Sequence, residues 1–433
     1  MAGWILRILG TMLFTTMLSL LDASGTVHAV PVTGPTTGKT LPVTETAATK
    51  FSPEPAIRVG LATGQEAAVF LAKGEYVVRD GATELGLEKL SANATLTVTK
   101  RGGQFLLNGK PVSAKILVVK RADSRASIPI FYNGEAYRGD FRLIMQNGAI
   151  TVINNVTLDD YVSGVIGAEM GADWPMEALR AQAVAARTFA LYSLGRHEKE
   201  GFDVCPNTHC QVYGGIAAES KTVLAAVSST RGEVMMYNDK PIYSAFHASS
   251  GGWTAGNEEA GGNPLPYLKS VRDEPTYRTE YHWQIAVSAA ELRAKLRTAG
   301  FDIGTLKRVE LTPLEEGARK ETADRYVSGR VRMVRFVGTL RTAEILGPKL
   351  RWLLGLPGTR FDIRYQKGTA TTPNRNGKIE FHGQSSEMLL FDGWGRGHGV
   401  GMSQWGAHAM AAKKDYRAIL HHYYTNVEII KLY

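Results

Sequence analysis

The chain has 433 residues, 44% of them hydrophobic and 21% charged. That composition excludes a disordered polymer and allows two or three folded units. A formal net charge of +9 and a pI near 9.3 suit an anionic partner: nucleic acid, a membrane face or an anionic wall polymer.

The first 29 residues carry Arg7, an apolar run from Ile8 to Leu21, and the small-residue site Val27-His28-Ala29. This is the layout of a secretory signal. The run is shorter than the roughly 20 residues of a membrane span, so a cleaved signal is expected in preference to an uncleaved anchor. Export makes nucleic acid a poor partner and directs attention to the cell wall or the outer membrane face. Residues 30–54 are rich in Thr, Pro and Gly without periodicity, and read as a flexible spacer.

From Ile57 to Asn155 the pattern is short β-type runs such as AAVFLA, ATLTVTK and AITVINN, punctuated by NGK, NGE and QNG turns. Helical signals follow. Thr157 with Asp160 forms a capping-box-like start. Leu158, Tyr161, Val162, Val165, Ile166 and Glu169 then share one face. Pro175 opens a second helix, EALRAQAVAARTFALYSLGR, whose alanines allow close packing. Further on, RGEVMMYNDKPIY reads as two strands around an Asn-Asp turn, SAAELRAKLRT as a Ser-capped helix, and Asp415–Tyr423 as a last helix. The expected class is α+β, a β-rich amino-terminal region (55–125) followed by a mixed α+β domain (126–433). No βαβαβ alternation suggests a doubly wound sheet.

Glu169 raises the first chemical question. A carboxylate ending an apolar stripe is desolvated, which raises its pKa and suits it to general-acid work; the alternative is a frayed helix end reaching solvent. Arg187, among small and apolar neighbours, needs an anionic or carbonyl partner. It either orients Glu169, grips a substrate oxygen, or forms a structural salt bridge. In CPNTHC, Cys205, His209 and Cys210 place two thiols and an imidazole within six residues, a zinc-like set with a fourth position left for water or a distant side chain. A Cys205–Cys210 disulfide is the competing reading, and a Cys nucleophile paired with His209 a weaker one. GWGRGHGVGM has Gly at alternate positions, which would strip one face of an extended segment and leave Trp394, Arg396 and His398 on the other. Ser403 is placed to cap a helix with Gln404 in its first turn. The Ser beside His247 lacks the Gly-x-Ser-x-Gly elbow of a serine hydrolase.

Taken in order, LDDYVSGVIGAEMGADWPMEALRAQAVAARTFAL, CQVYGG, AFHASSGGWT, PYLKSV, LRWLLGL and GWGRGHGVGMSQWGA resemble the stage II sporulation protein D family of peptidoglycan lytic transglycosylases, which also includes amidase enhancers. The resemblance covers residues from about Ile57 to Tyr433. It implies cleavage between N-acetylmuramic acid and N-acetylglucosamine with a 1,6-anhydro product, a carbon–oxygen lyase reaction. Glu169 matches the family's catalytic acid. Arg187, Ser250, Tyr267, Lys269, His398 and Gln404 are the implied substrate-binding residues. Cys205, His209 and Cys210 match a zinc set found in some members, structural or cleft-shaping and not required for the chemistry. The implied partners are glycan strands and a cell-wall amidase, with a non-catalytic enhancer of that amidase as the competing function. One departure is visible: the family's Pro after the Glu-Met pair is Gly171 here, with Pro delayed to Pro175.

Overall fold

The computed structural model describes residues 53–123, 128–273, 281–314, 321–384 and 386–433. The expected signal at 1–29 and all but the last two residues of the spacer lie outside these. No helix among the described residues is long and apolar enough to cross a membrane.

Twelve short strands between Ala56 and Thr157 form two six-stranded antiparallel sheets. Alternation sets their faces: in AAVFLA, Ala68, Phe70 and Ala72 are buried, and Phe70 meets Phe141 edge-on at 5.0 Å. Three hairpins turn on Asn108-Gly109, Asn133-Gly134 and Asn147-Gly148, all six residues at positive φ. That is the two-residue turn whose twist matches paired strands, as the Asn-Gly signals predicted. The division expected at 125/126 falls inside these sheets, since strand Ile116–Arg121 pairs with Asp140–Gln146.

Strand Ala149–Thr157 runs straight into helix α1 (Leu158–Glu169). The Thr157 hydroxyl accepts from the Asp160 amide, as the capping pattern predicted. Helix α2 (Met176–Tyr192) starts after Pro175 and is buried along almost its whole length, six of its alanines lining the interior. Helix α3 (Lys221–Ser229) packs on both. The predicted hairpin turns at Asn238-Asp239, each at positive φ, between strands Glu233–Tyr237 and Lys240–Pro241.

Residues 281–394 contribute two four-stranded antiparallel sheets, helix α4 (Ala289–Thr298, capped by Ser288) and helix α5 (Gly347–Leu354) around their own apolar core. Buried arginines attach this unit to the rest of the chain. Arg330 donates to the Ser250 carbonyl at 2.9 Å and Arg360 to the Gly251 carbonyl at 3.0 Å. Helices α6 (Gln404–Met410) and α7 (Tyr416–Tyr423) then return to α2. The class is α+β with a β-rich amino-terminal region, as expected. The one two-residue parallel ladder among the described strands joins Phe246–His247 to Met402–Ser403, so there is no doubly wound sheet.

The Gly393–Gly401 segment differs from expectation. Gly395, Gly397, Gly399 and Gly401 all have positive φ, so the segment coils and is not a flat strand with a stripped face. The coil allows close approach: a Cβ on Gly401 would lie 1.9 Å from the Ala245 carbonyl oxygen, and one on Gly399 2.3 Å from the Arg330 guanidinium.

Candidate active site at the end of helix α1

Helix α1 is overlaid by the CQVYGG segment because two of its residues lack side chains. A Cβ on Gly164 would meet the Tyr213 ring at 2.5 Å, and one on Gly167 the Ala218 carbonyl at 1.8 Å. The overlay is then held by hydrogen bonds. Gly214 N–H donates to the Gly164 carbonyl at 2.9 Å, and the Tyr161 hydroxyl to Gln211 Oε1 at 3.0 Å. The Tyr213 hydroxyl donates to Asn154 Oδ1 at 2.8 Å.

The overlay brings Val212 N–H to 2.8 Å from Oε1 of Glu169, the last residue of α1. Burial raises the Glu169 pKa above the ordinary glutamate range, against the opposing pull of the Val212 amide and of Gln404. Gln404 starts α6, whose cap is the Ser403 hydroxyl accepting from Gly406 N–H at 3.1 Å. The Gln404 amide faces the carboxylate, although its buried Nε2 has no partner at full hydrogen-bond geometry. Glu169 is therefore half-buried at the helix end, and no cation pairs with it among the described residues. Two neutral amides attend it.

Cys205, His209 and Cys210 converge as the spacing suggested, and both cysteines are free thiols. The structure adds a fourth group. His197 stacks on Phe202 across a one-residue bridge, which turns its Nε2 to 3.4 Å from Cys210 Sγ. His209 Nδ1 lies 3.5 Å from Cys205 Sγ and 3.6 Å from Cys210 Sγ. All four donor atoms fall within 4.8 Å of one another. A tetrahedral zinc with two sulfur and two nitrogen ligands has edges of roughly 3.3–3.8 Å, which the three separations of 3.4, 3.5 and 3.6 Å match. His197 Nδ1 faces Glu200 at 2.8 Å, a carboxylate placed to hold the tautomer that would leave Nε2 free for a metal. The hydrogen bond between the two thiols favours one thiolate in the pair and holds the other proton more tightly, so the pair gives up its first proton readily.

Other candidate residues are placed elsewhere. Arg187 is fully buried and pairs with Asp159 at 2.7 Å while donating to the Glu233 carbonyl at 3.1 Å. Asp159 lies ten residues before Glu169, roughly 15 Å along the helix. Of the three readings of Arg187, the structural salt bridge is the one realised. Arg187→Ala leaves Asp159 with the Tyr433 hydroxyl at 3.0 Å and the more exposed Arg231 at 3.6 Å, and is expected to lower stability in urea titrations by about 2–4 kcal/mol, with KM unchanged. Ser250 is fully buried, its hydroxyl donating to Asp273 at 2.6 Å. Asp273 also accepts from the Tyr423 hydroxyl at 2.6 Å. Tyr267 is buried with its hydroxyl accepting from Tyr243 N–H at 3.2 Å, while Lys269 is exposed. His398 lies 5.5 Å from His247 between ring centroids. Burial, with Arg351 and Arg330 nearby, pushes its imidazole down to about 4 and keeps it neutral.

The stretch that builds this site, residues 146–237, matches a family described as Stage II sporulation protein. An uncharacterised protein of Brachyspira hyodysenteriae is 31% identical over 88% of this chain and 94% of its own length. Stage II sporulation protein D of Bacillus amyloliquefaciens is 30% identical, covering 64% of this chain and 75% of its own. The amidase enhancer of Bacillus subtilis is 28% identical over 77% of this chain and 50% of its own length. The chain belongs to the stage II sporulation protein D family.

Proposed function

We propose that the protein is a lytic transglycosylase of peptidoglycan in sporulation-related wall remodelling, with Glu169 as its acid and base. The supporting observation is one half-buried carboxylate attended by the Val212 and Gln404 amides. A hydrolytic glycosidase pairs two carboxylates, one of them to activate water or form a covalent bond. A transglycosylase needs one. Protonated Glu169 gives its proton to the glycosidic oxygen, and the bond from the muramic acid C1 to that oxygen breaks. The 6-hydroxyl of the same muramic acid attacks C1, and its proton returns to Glu169. The Val212 N–H stabilises the carboxylate between the two transfers. Digestion of purified glycan strands with product analysis by mass spectrometry tests this, the expected product carrying a 1,6-anhydro end.

Zinc is proposed at Cys205, His209 and Cys210 with His197 completing the set. Four protein ligands leave no open position, which suits a structural ion and not a Lewis acid for substrate. Such an ion would fix the loop two residues before Val212, and so the amide that holds Glu169.

The second reading is a wall-binding enhancer of an amidase, favoured by the similarity to a protein of that name. It predicts that Glu169→Gln stimulates an N-acetylmuramoyl-L-alanine amidase as fully as the native chain does. The net charge of +9 and the signal-like residues 1–29 support action outside the cytoplasm on an anionic wall, not on nucleic acid.

A further inference from the structure

Two tryptophans far apart in the chain meet beside Glu169. Trp174 lies on the loop that leaves the catalytic residue, in a turn closed by its own N–H on the Gly171 carbonyl at 3.1 Å. Trp405 follows Gln404, whose amide faces the carboxylate. The indole centroids are 4.8 Å apart at 55°. His408, one turn along α6, lies 4.9 Å edge-on to Trp174 and 5.3 Å from Trp405. Trp405 Nε1–H donates to the Tyr281 hydroxyl at 2.7 Å, which fixes the ring's orientation. All three rings are only half-buried, and Trp174 packs against the amino-terminal core as well as against Trp405. The departure at Gly171 permits the arrangement: a Cβ there would lie 2.6 Å from Trp174 Cδ1 and 2.7 Å from its Nε1.

We infer that Trp174, Trp405 and His408 form a platform for the neutral N-acetylglucosamine ring on the leaving-group side of Glu169. The inference rests on the glycan reading above and adds which sugar sits where. One face of a pyranose presents C–H groups, and an aromatic face supplies a rigid apolar surface for them at low entropic cost. The aromatic face is also electronegative, so it disfavours a carboxylate. N-acetylmuramic acid carries a lactyl carboxylate and N-acetylglucosamine does not. The platform therefore selects the neutral sugar, whose O4 is the oxygen that Glu169 protonates. Placing that ring fixes the leaving oxygen against the acid, a positioning contribution to the rate.

The test uses the full chain as Glu169→Gln, so that nothing turns over. It is titrated by calorimetry and tryptophan fluorescence with the β-1,4 disaccharide of N-acetylglucosamine, and separately with a disaccharide ending in N-acetylmuramic acid. Trp174→Ala, Trp405→Ala and Gly171→Ala are each expected to weaken the neutral disaccharide about tenfold or more. Trp405→Phe retains most of the affinity, and Trp352→Ala, at a tryptophan 80% exposed on α5, changes nothing. Near-UV circular dichroism separates lost binding from lost folding. Unchanged affinity in the folded Ala variants, or a loss confined to the muramic disaccharide, overturns the platform. Platform-dependent binding with no glycan cleavage by the native chain sinks the lytic reading instead and leaves the platform standing.

Discussion

Glu169→Gln is expected to lower glycan cleavage by about 10²–10⁴-fold, the usual contribution of a positioned acid, while leaving the fold intact and more stable at neutral pH. Both halves follow from burial. The carboxylate holds its proton more tightly in the folded chain than in the unfolded one. The unfolded chain then binds fewer protons between the two pKa values, so stability falls as pH rises from the ordinary glutamate range through the raised one. Glutamine removes that cost. The melting temperature of Glu169→Gln should therefore equal or exceed that of the native chain at pH 7–8, and the difference should vanish below about pH 4. The rate has the same origin. The acid must be protonated, so activity should decline as pH rises through the raised value, and a profile rising with pH there would contradict the assignment. Loss of both activity and stability in the glutamine variant would mark Glu169 as a structural residue.

On the zinc reading proposed above, removing the ion is expected to be the second large effect. A structural zinc couples its binding free energy to folding, about 10–16 kcal/mol in isolated zinc-finger peptides; the surrounding core makes the cost smaller here. Chelation, Cys205→Ser, Cys210→Ser and His197→Ala should each lower the melting temperature by several degrees and empty the protein of zinc. Activity should fall in step, because the loop that carries Val212 loses its anchor two residues away. Zinc, and not magnesium, should restore both properties in the chelated protein. Activity lost at constant stability would instead describe a catalytic metal, and full stability with full activity in metal-free protein would remove the ion from the account. Glu200→Ala is a milder version of the same test, expected to lower zinc affinity by about 10–100-fold through the His197 tautomer.

What the sequence revealed depends on the range of the forces involved. The Asn-Gly hairpins, the Thr157, Ser288 and Ser403 caps and the stripe ending at Glu169 are local, set by φ, by one hydrogen bond or by helical period. Each appears where its pattern placed it. The zinc-like set was legible through the thiols of one loop. His197 was not, because HEKEG reads as an exposed polar turn, and only the bridge to Phe202 swings its ring inward. Family resemblance gave Ser250 and Tyr267 as substrate-binding residues, but motif matching carries no information about depth, and in the folded chain both are buried. The alternate glycines carry meaning in φ, which a sequence does not display. Trp174 and Trp405 meet only after helices α2 to α5, the accompanying sheets and the coiled glycine segment have been threaded between them. Gly171 was legible as a departure from the family pattern, but its closeness to the Trp174 ring exists only in the folded chain.

The central claim is that one carboxylate, with no second acid or base, breaks the glycan. Its most direct test is the mass of the fragments released from stem-peptide-free strands by the purified full chain without any amidase. The account predicts ends lighter by one water, the 1,6-anhydro form, from the native chain and none from Glu169→Gln. Reducing ends that take up oxygen-18 from labelled water during cleavage, or intact strands from a folded and zinc-loaded native chain, would contradict it.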